Sequence, residues 1–587
     1  MKPVVYQLVV RYFGNTNRTN AIDGTLQQNG CGRFADIDSN AIASIKALGS
    51  THVWLTGVLR QATMTDHSDI GLPADSPNIC KGRAGSFYAV RDYFDVCPDY
   101  AIDRSRRLEE FRELIDRLHA AGLQVIIDLV PNHVSRAYST ASTNPSFGPG
   151  DDQSKFFARD NAFYYLAQPA GQRLSMVRPA DWNPAGVEFT GSFGPEDGGP
   201  GRTPKASGDN VTVPWPGINN WYETIKLNYG WDFVLQRGCY EPRPRTWDVV
   251  DRILAFWQEL GVDGFRCDFA HYVPAEAWTW LLAQARSRRS AFFFAEAYPN
   301  QGAGSPIQDP DHELIAAGFN AVYDSGTYET LKKLYLGWNG IDAWADQVNG
   351  TQQVRPHLMS YLENHDERRI PSPVSQQTGG NGGESGFGSA AAAYQLAPLQ
   401  FLHGTNPVML LNGQEVGEPG ANATGFKGDN GRSTFFDYWT MPVFADWVND
   451  HAFDGGRLSA EGLALRAFYA QLLGLCQDPA IANGAYRDLR NGNRWGDAPG
   501  ASSLLMGFAR WIPGSGRLLL VVANLRPNSA EQGCIRLPAD VVASAGLRAV
   551  PMARVLLGET KPTLGDPVRD GICLALDNQR TAVIELV

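Results

Sequence analysis

A chain of 587 residues is long enough for several domains, although an α/β barrel with insertions can absorb much of such a length. Its 43% hydrophobic and 19% charged residues are ordinary for a globular protein, and a net charge of -11 with no basic block to offset it argues against nucleic acid or an anionic membrane as partner. A neutral or weakly charged substrate suits it better.

The first stretch, MKPVVYQLVVRYFG, is interrupted by Gln7 and Arg11 and is followed by no small-residue cleavage site, so it predicts a first strand and not a leader. On that reading the protein is cytoplasmic, the alternative being an exported form already stripped of its leader. Short apolar runs then alternate with amphipathic helical stretches in IASIKALGSTHVWLTGV, FRELIDRLHAAGLQVIIDLVPNH and VVDRILAFWQELGVDGFRCDF, and again through FFFAEAY, FNAVYDS, HLMSYLENHD and NPVMLLNGQE. With the first run these make eight candidate strands, most preceded by a helix ending near Gly or Asn, which is the arithmetic of an α/β fold of the (β/α)8 TIM-barrel type.

Between His133 and Trp247 the chain is rich in Pro, Gly, Asp and Trp and shows no regular period. So long an irregular stretch is better read as an inserted subdomain after strand 3, residues 135–231, leaving 1–134 and 232–480 to the barrel. The Gly-rich TGGNGGESGFG reads as a flexible loop. SAAAAYQLAPLQFL is the most apolar run, but it falls short of the ~20 residues that span a bilayer and contains Pro398. After the helix SAEGLALRAFYAQLLGLC, the alternating runs SSLLMGFARW, RLLLVVANL, ARVLLG and TAVIELV predict a C-terminal antiparallel β-sandwich over 481–587. Eight cysteines are scattered without CxxC or a His at metal spacing, which predicts reduced, buried thiols. A bond among Cys31, Cys80 and Cys97 is the alternative.

The run GVDGFRCDFAHYVP joins an apolar strand to charge. At period two, Gly264, Arg266 and Asp268 share one face and Phe265, Cys267 and Phe269 the other, so the charged face looks into a polar cavity or pairs internally. In a barrel the site gathers at the carboxyl ends of the strands. Polar residues collect there: Asp128, Asn132 and His133 after strand 3, Arg266, Asp268 and His271 after strand 4, Glu296 after strand 5, His365 and Asp366 after strand 7. Each alone has a structural explanation, an ion pair or a satisfied histidine; together they suit glycoside hydrolysis, where one carboxylate is nucleophile and another general acid. The rival reading is a metallohydrolase using His133, His271, His365 and an Asp, against which stands the absence of compact ligand spacing.

DLVPNH, GFRCDFAH, FFFAEAY and ENHD, in that order, resemble the four signatures of the α-amylase family of glycoside hydrolases, with KLNYGWDF similar to a fifth and SFYAVRDYFDV similar to the segment that sets an aromatic under the bound sugar. The resemblance runs over nearly the whole chain. It implies a retaining enzyme in which Asp268 is the nucleophile, Glu296 the acid and then the base, and Asp366 the carboxylate that stabilises the distorted sugar. Arg266 would keep Asp268 ionised and oriented, and the apolar FFFA run suggests a desolvated setting for Glu296, of the kind that holds a general acid protonated. His133 and His365 match residues that bond sugar hydroxyls, Tyr88 the stacked aromatic, and Asp92 and Asp128 positions that support the pocket. Asn132 matches a ligand of a structural calcium ion that ties the insert to the barrel. GNTNRTNAID offers a second set of oxygens, for which turn chemistry is the simpler reading. No organic cofactor is implied.

Two features depart from the family pattern. Many amylases carry Lys then His at the third and fourth positions after the nucleophile, on the acceptor side; here His271 and Tyr272 stand there. The sequence also starts at strand 1 and shows a single terminal β-domain with no starch-binding module, so soluble α-glucans or maltooligosaccharides are the expected substrates. Hydrolysis of α-1,4 links is the first expectation; transglycosylation through the same glycosyl-enzyme is the second, and a non-catalytic glucan-binding relative the third.

Overall fold

The computed structural model describes residues 1–587 apart from 142, 167–181, 192, 194–202, 218–219, 299–304, 341, 375–384, 421–425, 427–430 and 435. Most of the predicted TGGNGGESGFG loop lies outside the described residues.

All eight predicted runs form strands: β1 (Val4–Val9), β2 (His52–Thr56), β3 (Gln124–Leu129), β4 (Gly264–Cys267), β5 (Phe292–Ala295), β6 (Ala321–Tyr323), β7 (Leu358–Met359) and β8 (Val408–Leu411). They lie parallel in one sheet in chain order, with β1 paired to both β2 and β8. Backbone bonds from Ser360 N–H to the Pro407 carbonyl and from Met409 N–H to the Ser360 carbonyl close the ring between β7 and β8. This is the TIM barrel the alternation predicts. The helix before β4 shows why the pattern is legible: along Arg245–Leu260 the buried Trp247, Val250, Leu254, Trp257 and Gln258 recur at helical spacing. Gly261 then ends that helix with φ of 113°, a conformation that favours glycine, and the chain enters the strand.

Between β3 and β4 the strand His133–Ser135 pairs antiparallel with Thr224–Lys226, setting His133 opposite Lys226. The C-terminal residues form a five-stranded antiparallel sheet and a three-stranded one. Leu518, Leu520 and Val522 face the core between these sheets, while Leu519, Val521 and Ala523 face the barrel side, so the central strand is apolar at every position. The buried helix Ala393–Leu402, with Pro398 inside it, lies at that junction, where Gln395 Nε2 donates to the Asn524 carbonyl at 2.5 Å. Among the described residues no helix is long and apolar enough to cross a membrane.

Two expectations need correction. Glu531–Ile535 and Ile572–Leu576, which carry Gly, Gln and Cys among their apolar residues, are strands that the alternation did not announce. They set Cys534 opposite Cys573, and the two form a disulfide, so the cysteines are not all thiols. Cys31, Cys80 and Cys97 are free.

Candidate active site

The barrel ladder continues one residue past β4 and β5. Asp268 N–H donates to the Leu129 carbonyl at 2.9 Å and Glu296 N–H to the Cys267 carbonyl at 2.9 Å, so both carboxyls stand in fixed register at the rim. Arg266, paired in register with Asp128, is fully buried between them. Its Nη1 donates to Asp268 Oδ1 at 2.7 Å and, at 3.5 Å, to Asp128 Oδ1. Its Nη2 lies 2.7 Å from Glu296 Oε2 as an ion pair outside hydrogen-bond alignment. The guanidinium is packed against the rings of Trp54, Tyr88 and Tyr323 at 5.2 to 5.8 Å. The period-two reading of β4 is therefore met by internal pairing at the mouth of the barrel.

Burial pushes the Asp268 carboxyl well above the usual carboxylate range; Arg266 opposes this and the charge of Glu296 adds to it. Its Oδ2 is buried and has no hydrogen-bond partner. The Glu296 carboxyl does not meet the apolar surroundings that FFFA suggested: besides Arg266 it accepts from Phe269 N–H at 3.0 Å and from the Tyr298 hydroxyl at 3.0 Å. Phe269 reaches it through a left-handed backbone, φ 40° and ψ 47°, which costs a bulky residue and is a mark of functional sites. Asp128 is held from the other side by Gly57 N–H at 2.9 Å, and burial raises it against the pull of Arg266.

Asp366 is the open member, its side chain 35% exposed, with Oδ2 3.0 Å from His365 Nε2. Burial would raise it, but His365, Arg266 and Arg432 outweigh that and hold it at about 2. His365 Nε2 also meets the Tyr88 hydroxyl at 2.5 Å, and Gln7 Nε2 lies 2.8 Å from His365 Nδ1, bracing the ring from inside the barrel. Asp268, Glu296, Asp366, Arg266, His365, Tyr88 and Asp128 thus converge on one rim.

The catalytic-domain model of the α-amylase family matches residues 7–191. An α-amylase of Streptomyces lividans is 25% identical over 476 residues, 75% of this chain and 46% of that one. A cyclomaltodextrin glucanotransferase of Geobacillus stearothermophilus is 30% identical over 387 residues, 62% of this chain and 44% of that one. These similarities support membership of the α-amylase family of glycoside hydrolases. The chain spans about half the length of these two relatives. The crystal structure of an α-amylase from Lactobacillus plantarum shares the fold, with a TM-score of 0.59 at 19% identity over 100% of this chain and 99% of that one.

The remaining predicted residues lie around the α-amylase-type cluster in different settings. His133 is buried beside Trp221, rings 5.2 Å apart, and burial together with Lys226 lowers it to about 3, which keeps the imidazole neutral. His271 is buried with both ring nitrogens unbonded, against Phe269 and Tyr272 at 5.6 and 4.6 Å; burial, then Lys226, lowers it to about 4. Asp92 holds a neighbouring loop instead, accepting from Phe94 N–H at 3.0 Å and the Thr140 hydroxyl at 2.9 Å. The three histidines of the metallohydrolase reading sit in separate settings, and among the described residues no group of three His, Cys, Asp or Glu has metal-holding geometry.

Calcium at Asn132, which the family resemblance implied, does not fit the residues there. Asn132 Oδ1 accepts from the Lys226 ammonium and Nδ2 donates to the Gly208 carbonyl at 2.8 Å. Calcium takes six to eight oxygens, whereas the place facing this one holds a cation already. In GNTNRTNAID the side chains stitch loops: Asn15 Nδ2 donates to the Asn29 carbonyl at 3.0 Å and Asn20 Nδ2 to the Thr440 carbonyl at 2.9 Å. Sequence reasoning missed Gln7, Tyr298 and Tyr323. Gln7 had one signal, an amide in an otherwise apolar strand.

Proposed function

We propose that the protein is a retaining α-glucan glycosidase that cleaves α-1,4-glucosidic bonds of soluble maltooligosaccharides or starch-derived glucans by double displacement. The observation that carries this reading is the single buried guanidinium contacting both Asp268 and Glu296, at 2.7 Å each. One fork touching both carboxyls suits the short spacing of retaining glycosidases, where no water need fit between them.

Asp268 attacks the anomeric carbon through its unbonded Oδ2 while Glu296 gives its proton to the departing glycosidic oxygen. The new ester removes the charge of Asp268, and the same step leaves Glu296 as a carboxylate; Arg266 faces a charged partner in both states. Glu296 then takes a proton from water or an acceptor hydroxyl as that oxygen bonds to the anomeric carbon and the ester to Asp268 breaks, which releases the sugar and restores the Asp268 carboxylate. Asp366 and neutral His133, with His365, bond the hydroxyls of the distorted ring, and Tyr88 stacks on it. In this reading 1–134 and 232–480 form the catalytic barrel, 135–231 an insert tied to the barrel rim by the ladder of His133–Ser135 with Thr224–Lys226, and 481–587 a C-terminal sandwich.

A glucanotransferase is the second reading, favoured by the aromatic wall of Phe269, Trp221 and Tyr272 around His271, which offers an acceptor sugar a face. A time course with maltoheptaose, with and without added glucose or maltose, resolves the two. Shorter products with rising reducing ends support hydrolysis; products longer than the substrate with little gain in reducing ends support transfer. No change in the oligosaccharide at enzyme-equivalent concentration would overturn both.

A further inference from the structure

Lys226 is a lysine almost wholly buried, placed opposite His133 in the short ladder that joins the insert to the barrel rim. Its ammonium donates to Asn132 Oδ1 and stands over the rings of Tyr272 and Phe233 at 4.7 and 5.7 Å. Its backbone N–H donates to the Ala206 carbonyl at 2.9 Å, and the next N–H, of Leu227, to the Asn132 carbonyl at 2.9 Å. Five segments therefore meet at this one residue, through its ammonium or its backbone: the end of β3, the loop after β4, the 206–209 turn, the strand Thr224–Lys226 and the hairpin that carries Phe233. Asp209, the nearby carboxylate that could have served a metal, is spent on its own loop, accepting from Asn220 Nδ2 at 2.9 Å and Trp221 N–H at 3.1 Å.

We propose that Lys226 is a built-in junction cation: its ammonium takes the position at Asn132 that a divalent ion would need and ties the insert to the barrel in its stead. An amide oxygen, two ring faces and the charge of the nearby Asp209 offset its burial, and no second cation can approach the same oxygen without repulsion. The tie also links the acceptor side, through Tyr272, to the rim that holds His133.

The test is thermal unfolding of the full chain at about pH 6, after dialysis against chelator and again in millimolar calcium chloride, with limited proteolysis alongside. The wild-type midpoint is expected to agree within about one degree in the two buffers. Lys226→Met, which keeps the apolar stem, is expected to melt about 2 to 5 °C lower in both and to be cut faster within 135–231. A calcium-dependent rise in the wild type that is lost in Asn132→Ala overturns the proposal, as does a Lys226→Met variant that melts and resists protease like the wild type. A rise that survives in Asn132→Ala, with Lys226→Met still weakened, supports it, because the ion then binds elsewhere. Should Lys226→Met fail to fold, the wild-type comparison decides.

Discussion

Arg266→Met isolates the electrostatics of the cluster. Methionine keeps an apolar stem against Trp54, Tyr88 and Tyr323 and removes the charge that faces Asp268 and Glu296 at 2.7 Å and Asp128 at 3.5 Å. At an effective dielectric of about 20, a 2.7 Å contact with whichever carboxyl is ionised is worth about 6 kcal/mol of Coulomb energy before desolvation is counted. Breaking a buried ion pair by removing one partner costs about 3–5 kcal/mol net, which is roughly two to four decades at 1.36 kcal/mol per tenfold. Three buried carboxyls without a counter-charge relieve that cost by taking up protons. Asp268, already pushed up by burial, then rises further and is lost as a nucleophile in the acid range. The expected outcome is a loss in kcat/KM of about 10²-fold or more, with the acid limb of its profile between about pH 4 and 9 moved to higher pH, and a lower thermal midpoint. Activity within tenfold of the wild type, with the acid limb unmoved, would refute the role given to Arg266.

Asp268→Asn and Glu296→Gln should each lower kcat on the order of 10⁴-fold with unchanged circular dichroism; near-normal turnover in either variant removes the nucleophile or acid assignment. Gln7→Ala removes the brace behind His365, a buried hydrogen bond worth about 1–3 kcal/mol when one partner is left unmet, and kcat/KM should fall roughly 5- to 100-fold; an unchanged value would show that Tyr88 and Asp366 hold the ring alone. Glu418 is buried and raised by that burial to about 7, with Arg369 opposing. A carboxyl raised in the folded state stabilises below its unfolded value near 4.5 and loses that contribution as pH climbs through about 7. Glu418→Gln should therefore narrow its stability gap to the wild type between pH 5 and 8, by about 3 kcal/mol at most, in urea titrations at both pH values; a gap that widens contradicts the sign.

Much of the barrel was legible because its signals are local. Period-two apolar runs, helices with one buried face and Gly at their ends give eight β/α units, and a parallel sheet in chain order is the arrangement such connections favour. The charge pair in GFRCDF was equally visible, because a strand buried on both sides carries Arg266 and Asp268 only where they are paired or used. Glu296 stands one residue past its strand and was read the same way; Asp366, seven residues past Met359, was read from the same gathering at the strand ends, and the motif supplied its role.

What the sequence by itself determined is the order of the elements and the kinds of chemistry at the strand ends. Tertiary structure alone decided which side chains meet. Gln7 braces His365 from 358 positions away, and Cys534 bonds Cys573 because two weakly patterned strands pair in one register. Asn132 faces an ammonium instead of a metal because a short ladder brings Lys226 across from His133. In each case the contact joins segments distant in sequence, and it is fixed by strand register and by packing that only the assembled barrel and insert supply.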